Sequence, residues 1–237
     1  MTTCRRLLEI SVESLDSAIA AERGGAHRIE LCEFLALGGV TPSEDLMRKT
    51  RAAVKIPIFA MIRPRDEDFV YSSSELEQMR AAIELAKSCG MDGLVLGILH
   101  RDNTINVEQA RKLVELATPL PVTYHRAFDE TPDLCAALES VISTGASRIL
   151  TSGGKPTALE GASVLADLVS SARDRIIILP GGGNNASNLA EIVRLTHARE
   201  FHSGLGTTLP YGQSSPAQFE SAVHELAQIL ADFDRPR

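Results

Sequence analysis

Several features are scarce or missing in this 237-residue chain. It has no tryptophan, its aromatic residues make up 4%, and its net charge is −7 rather than positive. No apolar run approaches the roughly 20 residues of a membrane-spanning helix. These absences argue against a membrane protein, and against nucleic acid or an anionic membrane as the main partner, since such partners need a basic face. They do not exclude a small anionic ligand in a locally positive pocket.

Cysteine is also sparse. Cys4, Cys32, Cys89 and Cys135 are widely spaced and form no CxxC pair, which is typical of reduced cytosolic thiols rather than of a disulfide framework. Acidic residues, beginning with Glu9, interrupt the N-terminal segment where a secretory signal would need an apolar run. We therefore predict a cytoplasmic protein.

What the chain does have is a rhythm of eight short apolar runs, each followed by a helical pattern. The runs cover residues 7–11, 27–32, 57–63, 92–98, 121–126, 147–152, 175–180 and 200–203. Eight alternating strand and helix units in about 250 residues are typical of a (β/α)8 TIM barrel, and an open doubly wound sheet is the alternative. No linker or composition break divides the chain, so we predict one domain over residues 1–237.

Side chains alternate across a strand, and this predicts which of them enter the barrel lumen. On the first strand Glu9 and Ser11 point inward, and on the second Glu30 and Cys32 do so. The simplest alignment of these neighbouring strands places Glu9 beside Glu30 in one layer. Ser11 and Cys32 then share the next layer toward the mouth.

The same alternation brings Arg63, His125 and His202 inward at the ends of later strands. Burying so many ionisable groups is costly unless they pair, so a paired ion network that fills the barrel is one interpretation. The other is an active site, because TIM barrels place their chemistry at strand C-termini. The two histidines would then be general acid and base, oriented by a glutamate. The candidate catalytic residues are Glu9, Glu30, Arg63, His125 and His202.

A second set of candidates lies in glycine-rich turns and at arginines just beyond strand ends. Backbone N–H groups in such turns can surround an oxyanion, and TIM barrels often bind phosphate after strands 7 and 8. The alternatives are that the glycines only make tight turns and that the arginines beside Pro64 pair with the acidic residues 66–68. The long segment 204–215 is predicted to cover the mouth as a lid. The candidate anion-binding residues are Arg65, Arg126, Ser152, Gly153, Gly182 and Gly183.

Cys32 is the inward-pointing thiol at the end of the second strand. Thiolate and thioether ligands suit Cu(I), and Met61, His125 and His202 are candidate helpers from other strands. One cysteine alone does not make a good copper site, and a free buried cysteine commonly acts as a small apolar residue. Both interpretations of Cys32 stay open at this point.

Long motifs along the chain resemble the CutC family. The matching stretches are residues 8–10, 25–32, 38–43, 62–65, 68–72, 124–129, 149–153 and 200–203, and they span nearly the whole sequence. The most specific are the His-Arg-Ala-Phe-Asp run that starts at His125 and the Arg-Pro-Arg run that starts at Arg63.

The resemblance implies a TIM barrel in the cytoplasm, a homo-oligomeric assembly and a role in copper homeostasis. It also implies Cu(I) bound by cysteines near the ends of the first two strands. Cys32 matches the second position, but the first falls at Ser11, whose hydroxyl does not replace a thiolate for Cu(I). The expectation is therefore a copper-homeostasis barrel binding Cu(I) through Cys32. The alternative is a lyase, isomerase or hydrolase acting on a small anionic or phosphorylated metabolite at the barrel mouth.

Overall fold

The computed structural model describes residues 5–206, 208–209 and 214–235, and within them eight strands alternate with eight helices. The strands are β1 (Leu7–Val12), β2 (Arg28–Leu31), β3 (Ile58–Met61), β4 (Gly93–Leu96), β5 (Val122–Tyr124), β6 (Arg148–Thr151), β7 (Ile177–Pro180) and β8 (Glu200–Ser203). The helices are α1 (Leu15–Gly24), α2 (Glu44–Ala53), α3 (Ser73–Ser88), α4 (Val107–Ala117), α5 (Leu134–Thr144), α6 (Ala162–Ala172), α7 (Leu189–Thr196) and α8 (Pro216–Asp234). Short 3₁₀ turns, Leu35–Leu37 and Arg126–Glu130, follow β2 and β5.

The strands form one parallel sheet in the order β7-β6-β5-β4-β3-β2-β1-β8. The last strand pairs with the first, with Glu9 opposite His202, as a barrel requires and an open doubly wound sheet does not. Between β7 and β8, the side-chain amide of Asn184 donates to the carbonyl oxygens of Pro180 at 2.9 Å and His202 at 2.8 Å. The TIM barrel is thus confirmed, and the doubly wound alternative is wrong.

The apolar core lies between the strands and the surrounding helices. Leu8 and Ile10 of β1 and Ile29 and Leu31 of β2 are buried in it, because alternate residues of each strand face the helices. The residues between them are polar and equally buried, so they fill the lumen instead. The alternation of hydrophobicity in the sequence therefore separates core from lumen correctly on these two strands.

Several strands end earlier than the apolar runs predict. β3 ends at Met61 and β5 at Tyr124, so Arg63 and His125 follow their strands instead of lying within them. At β5 the cause is local: the Nδ1 atom of His125 accepts a hydrogen bond from the backbone N–H of Ala127 at 3.2 Å and caps the 3₁₀ turn. These two side chains are consequently held by loops at the barrel mouth.

Among the described residues, no helix combines the length and the apolar character needed to cross a membrane. Residues 207 and 210–213 of the predicted lid, as well as Cys4, lie outside the described residues.

Candidate functional site

The lower part of the lumen holds a layer of ion pairs, here called the ion layer, formed by Glu9, Arg28, Arg148 and Glu200. Arg28 bonds the carboxylate of Glu9 at 2.5 Å and that of Glu200 at 2.7 Å, and Arg148 bonds Glu200 at 2.9 Å. Both guanidinium groups stack on the ring of Phe59, 4.8 Å and 5.2 Å from its centroid. Sequence reasoning missed Arg148 and Glu200 as lumen residues, although alternation along β6 and β8 is the signal that finds them.

The predicted alignment of β1 with β2 is wrong by two residues. Glu9 lies opposite Arg28, and Ser11 lies opposite Glu30. Barrel strands are staggered along the barrel axis, so residues at similar places in two sequence runs do not lie at the same height. As a result Glu9 contacts an arginine instead of a second carboxylate, and Cys32 lies above Ser11's layer.

Above the ion layer, a line of hydrogen bonds runs toward the mouth; we call His202, Ser11 and Glu30 the proton chain. The Nδ1 atom of His202 lies 2.7 Å from a carboxylate oxygen of Glu9, which anchors the chain. The Nε2 atom of His202 lies 2.9 Å from the hydroxyl of Ser11. That hydroxyl donates to Glu30 Oε1 at 2.9 Å, so β8, β1 and β2 each supply one member.

The proton chain holds competing sites for a proton. Burial raises the pKa of Glu9, but the charges of Arg28 and His202 outweigh burial and bring it to about 2. Burial lowers the pKa of His202, yet the charges of Glu30 and Glu9 leave it raised. Burial, assisted by the charge of Glu9, also raises the pKa of Glu30. Glu30 and His202 therefore compete for one proton, and the Ser11 hydroxyl lies directly between them.

The proton chain opens into a cavity of about 580 Å³ at the strand C-termini, the mouth cavity. This volume suits a small metabolite. The site residues that line it come from both predicted sets: Glu30, Arg63, His125, His202, Arg126, Gly182 and Gly183. Glu9 is buried below these residues and does not line the cavity, and its link to the cavity is the hydrogen bond with His202.

Arg63 and His125 are buried in the wall of the mouth cavity. The terminal nitrogens of Arg63 donate to four backbone carbonyl oxygens in neighbouring loops, those of residues 37, 39, 66 and 67. Arg63 thus pairs with neither the acidic side chains nor the lumen glutamates that the sequence offered as alternatives. Burial, with the charge of Arg63, lowers the pKa of His125 to about 3, so this imidazole is neutral at pH 7.

Arg65 lies away from the mouth cavity. Its guanidinium bonds Glu75 at 2.6 Å and Asp68 at 2.7 Å and stacks on Tyr71. These contacts tie the loop after β3 to the start of α3. The geometry therefore favours the alternative of local ion pairing for Arg65 over a role in anion binding.

The glycine turn after β6 already holds an anion, which is the protein's own Asp129. Its carboxylate accepts hydrogen bonds from the backbone N–H groups of Ser152 and Gly154 and from the side chain of Thr151. Arg126 bonds the same carboxylate at 2.8 Å. The expected oxyanion site at Ser152 is thus filled internally, and no spacing signal in the sequence predicts this contact.

Gly153 belongs to the same turn after β6, and its N–H donates to the Thr151 hydroxyl at 2.9 Å.

The turn after β7 has no such internal anion among its described contacts. Gly182 and Gly183 adopt left-handed φ angles of 112° and 74°, and a Cβ at Gly182 would lie 3.2 Å from the Cβ of Ser152. Within the described residues, the N–H groups of these two glycines have no hydrogen-bond acceptor, and both residues line the mouth cavity.

Cys32 lies in a small apolar cluster with Phe59, Met61 and Val95. Burial, followed by the charges of Glu30 and two further glutamates, raises the pKa of Cys32 well above its ordinary value. A thiolate is the form that binds metals, so this environment opposes metal binding. With Ser11 at the other family position, these residues do not form the pair of thiolates that would fit Cu(I).

A different group of side chains has the spacing of a metal site. Donor atoms of Glu9, Glu30 and His202 lie within 4.8 Å of one another, and such nitrogen and oxygen ligands suit a divalent cation rather than Cu(I). In this structure Arg28 bonds Glu9, and the Ser11 hydroxyl is hydrogen-bonded to both His202 and Glu30. The geometry favours a proton chain at this place.

Comparisons with known proteins agree with this architecture. The model of the CutC family matches residues 6–207. A copper homeostasis protein cutC homolog from Mus musculus is 46% identical over 98% of this chain and 87% of its own length, and the Homo sapiens homolog is 47% identical over 87% and 76%.

Solved structures extend the comparison. The CutC protein from Streptococcus agalactiae superposes with a TM-score of 0.79 at 33% identity, covering 84% of this chain and 98% of that one. Thiamine phosphate pyrophosphorylase from Pyrococcus furiosus, at 15% identity and a TM-score of 0.64 over 97% of both chains, shares the fold alone. By family model, relatives and structure together, this chain belongs to the CutC family, whose relatives are named for copper homeostasis.

Proposed function

We propose that this CutC-family barrel is an enzyme that binds a small anionic metabolite in the mouth cavity and moves a proton on it. The observation that carries the proposal is the proton chain, in which Glu30 and His202 compete for a proton through Ser11 beside a cavity of metabolite size. General acid–base catalysis needs groups of this kind within reach of the reacting atoms.

The other wall of the mouth cavity supports an anionic ligand. Gly182 and Gly183 present backbone N–H groups in the turn after β7, where TIM barrels often bind phosphate. Arg126 lies close by, with its guanidinium carbon 3.5 Å from the position of a Cβ at Gly182. A phosphate or carboxylate bound there would gain amide donors and a nearby positive charge.

The residues of the chain define how a proton would move. Glu9 remains a carboxylate and holds His202 through Nδ1, which directs Nε2 toward Ser11. A proton on His202 Nε2 can reach Glu30 through the Ser11 hydroxyl, which gives up its own proton to Glu30 as it receives the other. Glu30 can therefore exchange a proton with a substrate, while His202 accepts or supplies a proton through Ser11.

Ligand binding is tested first, by thermal and urea denaturation with inorganic phosphate, sulfate, sugar phosphates and small carboxylates. A ligand at a hundredfold excess over its dissociation constant raises the free energy of unfolding by about 2.7 kcal/mol. Gly182→Ala should abolish this gain. Gly145→Ala is the matched control, because Gly145 is also left-handed but caps α5. If no anion stabilises the wild-type protein, the proposal is wrong.

Turnover of a stabilising ligand is tested next, by product analysis with His202→Gln and Glu30→Gln. Both variants keep hydrogen-bonding capacity but cannot exchange the proton, so turnover should fall by about a hundredfold or more. His224→Gln, in an exposed position on α8, should turn over like the wild type. Unchanged turnover in the lumen variants would contradict the roles assigned to them.

A second candidate function is Cu(I) binding at Cys32, as the names of the relatives suggest. One observation favours it: the thiol of Cys32 and the thioether of Met61 belong to the same lumen cluster, and both sulfur groups suit Cu(I). The test is an anaerobic Cu(I) titration against a competing chelator, with Cys32→Ser and Met61→Leu alongside. Tight binding lost in both variants would support it, and binding that survives Cys32→Ser would remove its basis.

A further inference from the structure

Two buried hydrogen-bond donors in the wall of the mouth cavity have no acceptor. Among the described residues, Arg63 Nε and His125 Nε2 are both buried without a partner. The terminal nitrogens of Arg63 are fixed by backbone carbonyls. His125 Nδ1 accepts from the N–H of Ala127, so the proton of the neutral ring is on Nε2. Unpaired buried donors cost about 1–3 kcal/mol each, which points to an acceptor supplied by a ligand.

The side chains of both donors contact the ring of Phe69. The guanidinium carbon of Arg63 is 4.9 Å from the centroid of that ring, and the His125 ring centroid is 4.8 Å from it. Both residues line the mouth cavity. Two N–H groups that approach one ligand oxygen form an oxyanion hole, and these two donors are the candidates for one in this wall.

Glu30, which also lines the mouth cavity, has an unpartnered atom of opposite character. Its Oε2 atom is buried and accepts no hydrogen bond from the part of the chain that the structure describes, while Oε1 is bound to Ser11. Glu30 lies on β2, the strand next to β3, which leads to Arg63. The cavity thus combines two donors for an oxygen with one free carboxylate oxygen.

We infer that the substrate carries a carbonyl group, that its oxygen binds Arg63 Nε–H and His125 Nε2–H, and that Glu30 removes a proton from the carbon beside the carbonyl. The C–H bond breaks and its proton goes to Glu30 Oε2. The electron pair forms a C=C bond, and the carbonyl π electrons move to the oxygen. The enolate oxygen then carries a negative charge that both donors stabilise.

This inference deepens the proposed function and rests on it: the substrate class becomes an anionic carbonyl compound, and the reaction an enolisation of the isomerase or lyase kind. It also gives a specificity argument. A ligand without the carbonyl oxygen leaves both buried donors unpaired, and sites of this type discriminate strongly against such analogues.

The test compares two probes that share a phosphate but differ in the carbonyl region. Phosphoglycolohydroxamate imitates a planar enediolate, and 2-hydroxyethyl phosphate does not. We expect the wild type to bind the hydroxamate at least about tenfold more tightly by calorimetry, the equivalent of one good hydrogen bond. His125→Asn places an amide oxygen where Nδ1 accepts from Ala127 but removes Nε2, so the preference should fall below about threefold. His125→Gln keeps a donor near Nε2 and should retain most of the preference.

The outcomes separate this inference from the function on which it rests. If both probes bind equally, or if His125→Asn keeps the preference, the carbonyl site is wrong while the anionic site stands. If neither probe binds, the anionic site fails and the carbonyl site fails with it. Arg63→Lys provides an independent variant, which loses Nε–H and should reduce the preference for the hydroxamate as His125→Asn does.

Discussion

The ion layer and the proton chain are neighbours in one lumen, yet they resolve their charges in opposite ways. In the ion layer, Arg28 and Arg148 neutralise Glu9 and Glu200 at 2.5–2.9 Å. In the mouth above it, Glu30 leaves one carboxylate oxygen without a partner within the described residues. The paired ion network expected from the sequence is therefore present in the lower lumen, and the active-site interpretation applies only to the groups at the mouth, where it remains a proposal.

Depth in the lumen determines where a buried polar group can find a partner. Polar groups buried away from the mouth pay a desolvation penalty that only internal partners can offset. Groups at the strand C-termini can leave a partner to the ligand, because the cavity admits one. Among the described residues, buried atoms without a partner occur at both heights, since Arg148 Nη1 in the ion layer also lacks one. The cavity beside Glu30, Arg63 and His125 is what distinguishes the candidate site from the network below it.

The largest predicted effect breaks the ion layer. Arg28→Met leaves the carboxylates of Glu9 and Glu200 with an uncompensated buried charge, so the free energy of unfolding should fall by about 3–5 kcal/mol in urea denaturation. Arg48→Met is the control, because its pair with Glu44 is exposed, and it should cost less than about 1 kcal/mol. The double variant Arg28→Met with Glu9→Gln should recover part of the loss. A loss below that of the control pair would show that the ion layer does not stabilise the fold.

The second prediction uses pH to probe the wall of the mouth cavity. The pKa of His125 is about 3 in the folded protein against an ordinary value of 6.5, so the unfolded chain binds a proton first as pH falls. The stability that His125 contributes is complete above about pH 6.5 and is lost toward pH 3, by about 3 kcal/mol at pH 4. The measurement is urea denaturation at several pH values. The difference between wild type and His125→Asn isolates this effect, and parallel curves would contradict it.

Most of the fold was predictable from the sequence, because its signals are local and periodic. Alternation along β1 and β2 separates helix-facing residues such as Ile10 and Ile29 from lumen residues such as Glu9. The strand ends were less predictable. At β5 the hydrogen bond between His125 and Ala127 ends the strand early. The pattern of hydrophobic residues does not predict that contact.

The candidate site was predictable as a set of residues but not as a set of pairings. Glu30, Arg63, His125 and His202 all line the mouth cavity as expected. The stagger between β1 and β2, which sets Ser11 against Glu30, depends on barrel closure and not on either strand alone. Contacts between distant loops, above all that of Asp129 with the turn after β6, likewise have no local signal.

The third prediction sharpens the contrast between the two glycine turns. Asp129→Ala empties the turn after β6 of its internal anion and should cost about 2 kcal/mol, since charged hydrogen bonds to Ser152 and Gly154 are lost. Sulfate should restore part of this stability in the variant by occupying the same N–H groups. Asp167→Ala, at an exposed position on α6, is the control and should show no such rescue. Equal responses to sulfate in both variants would mean that this turn is not an anion site.

The smallest predicted effect concerns Cys32, where the lumen is apolar instead of ionic. As a small filler beside Phe59 and Val95, it should lose only about 1 kcal/mol on Cys32→Ala, the cost of a small cavity. Its raised pKa and burial also predict that iodoacetamide modifies the exposed Cys135 in the native protein well before Cys32. Peptide mass spectrometry of timed samples follows each thiol separately. Equal modification rates would show that the Cys32 thiol reaches solvent as readily as a surface thiol. That result would contradict a buried and unreactive thiol at Cys32.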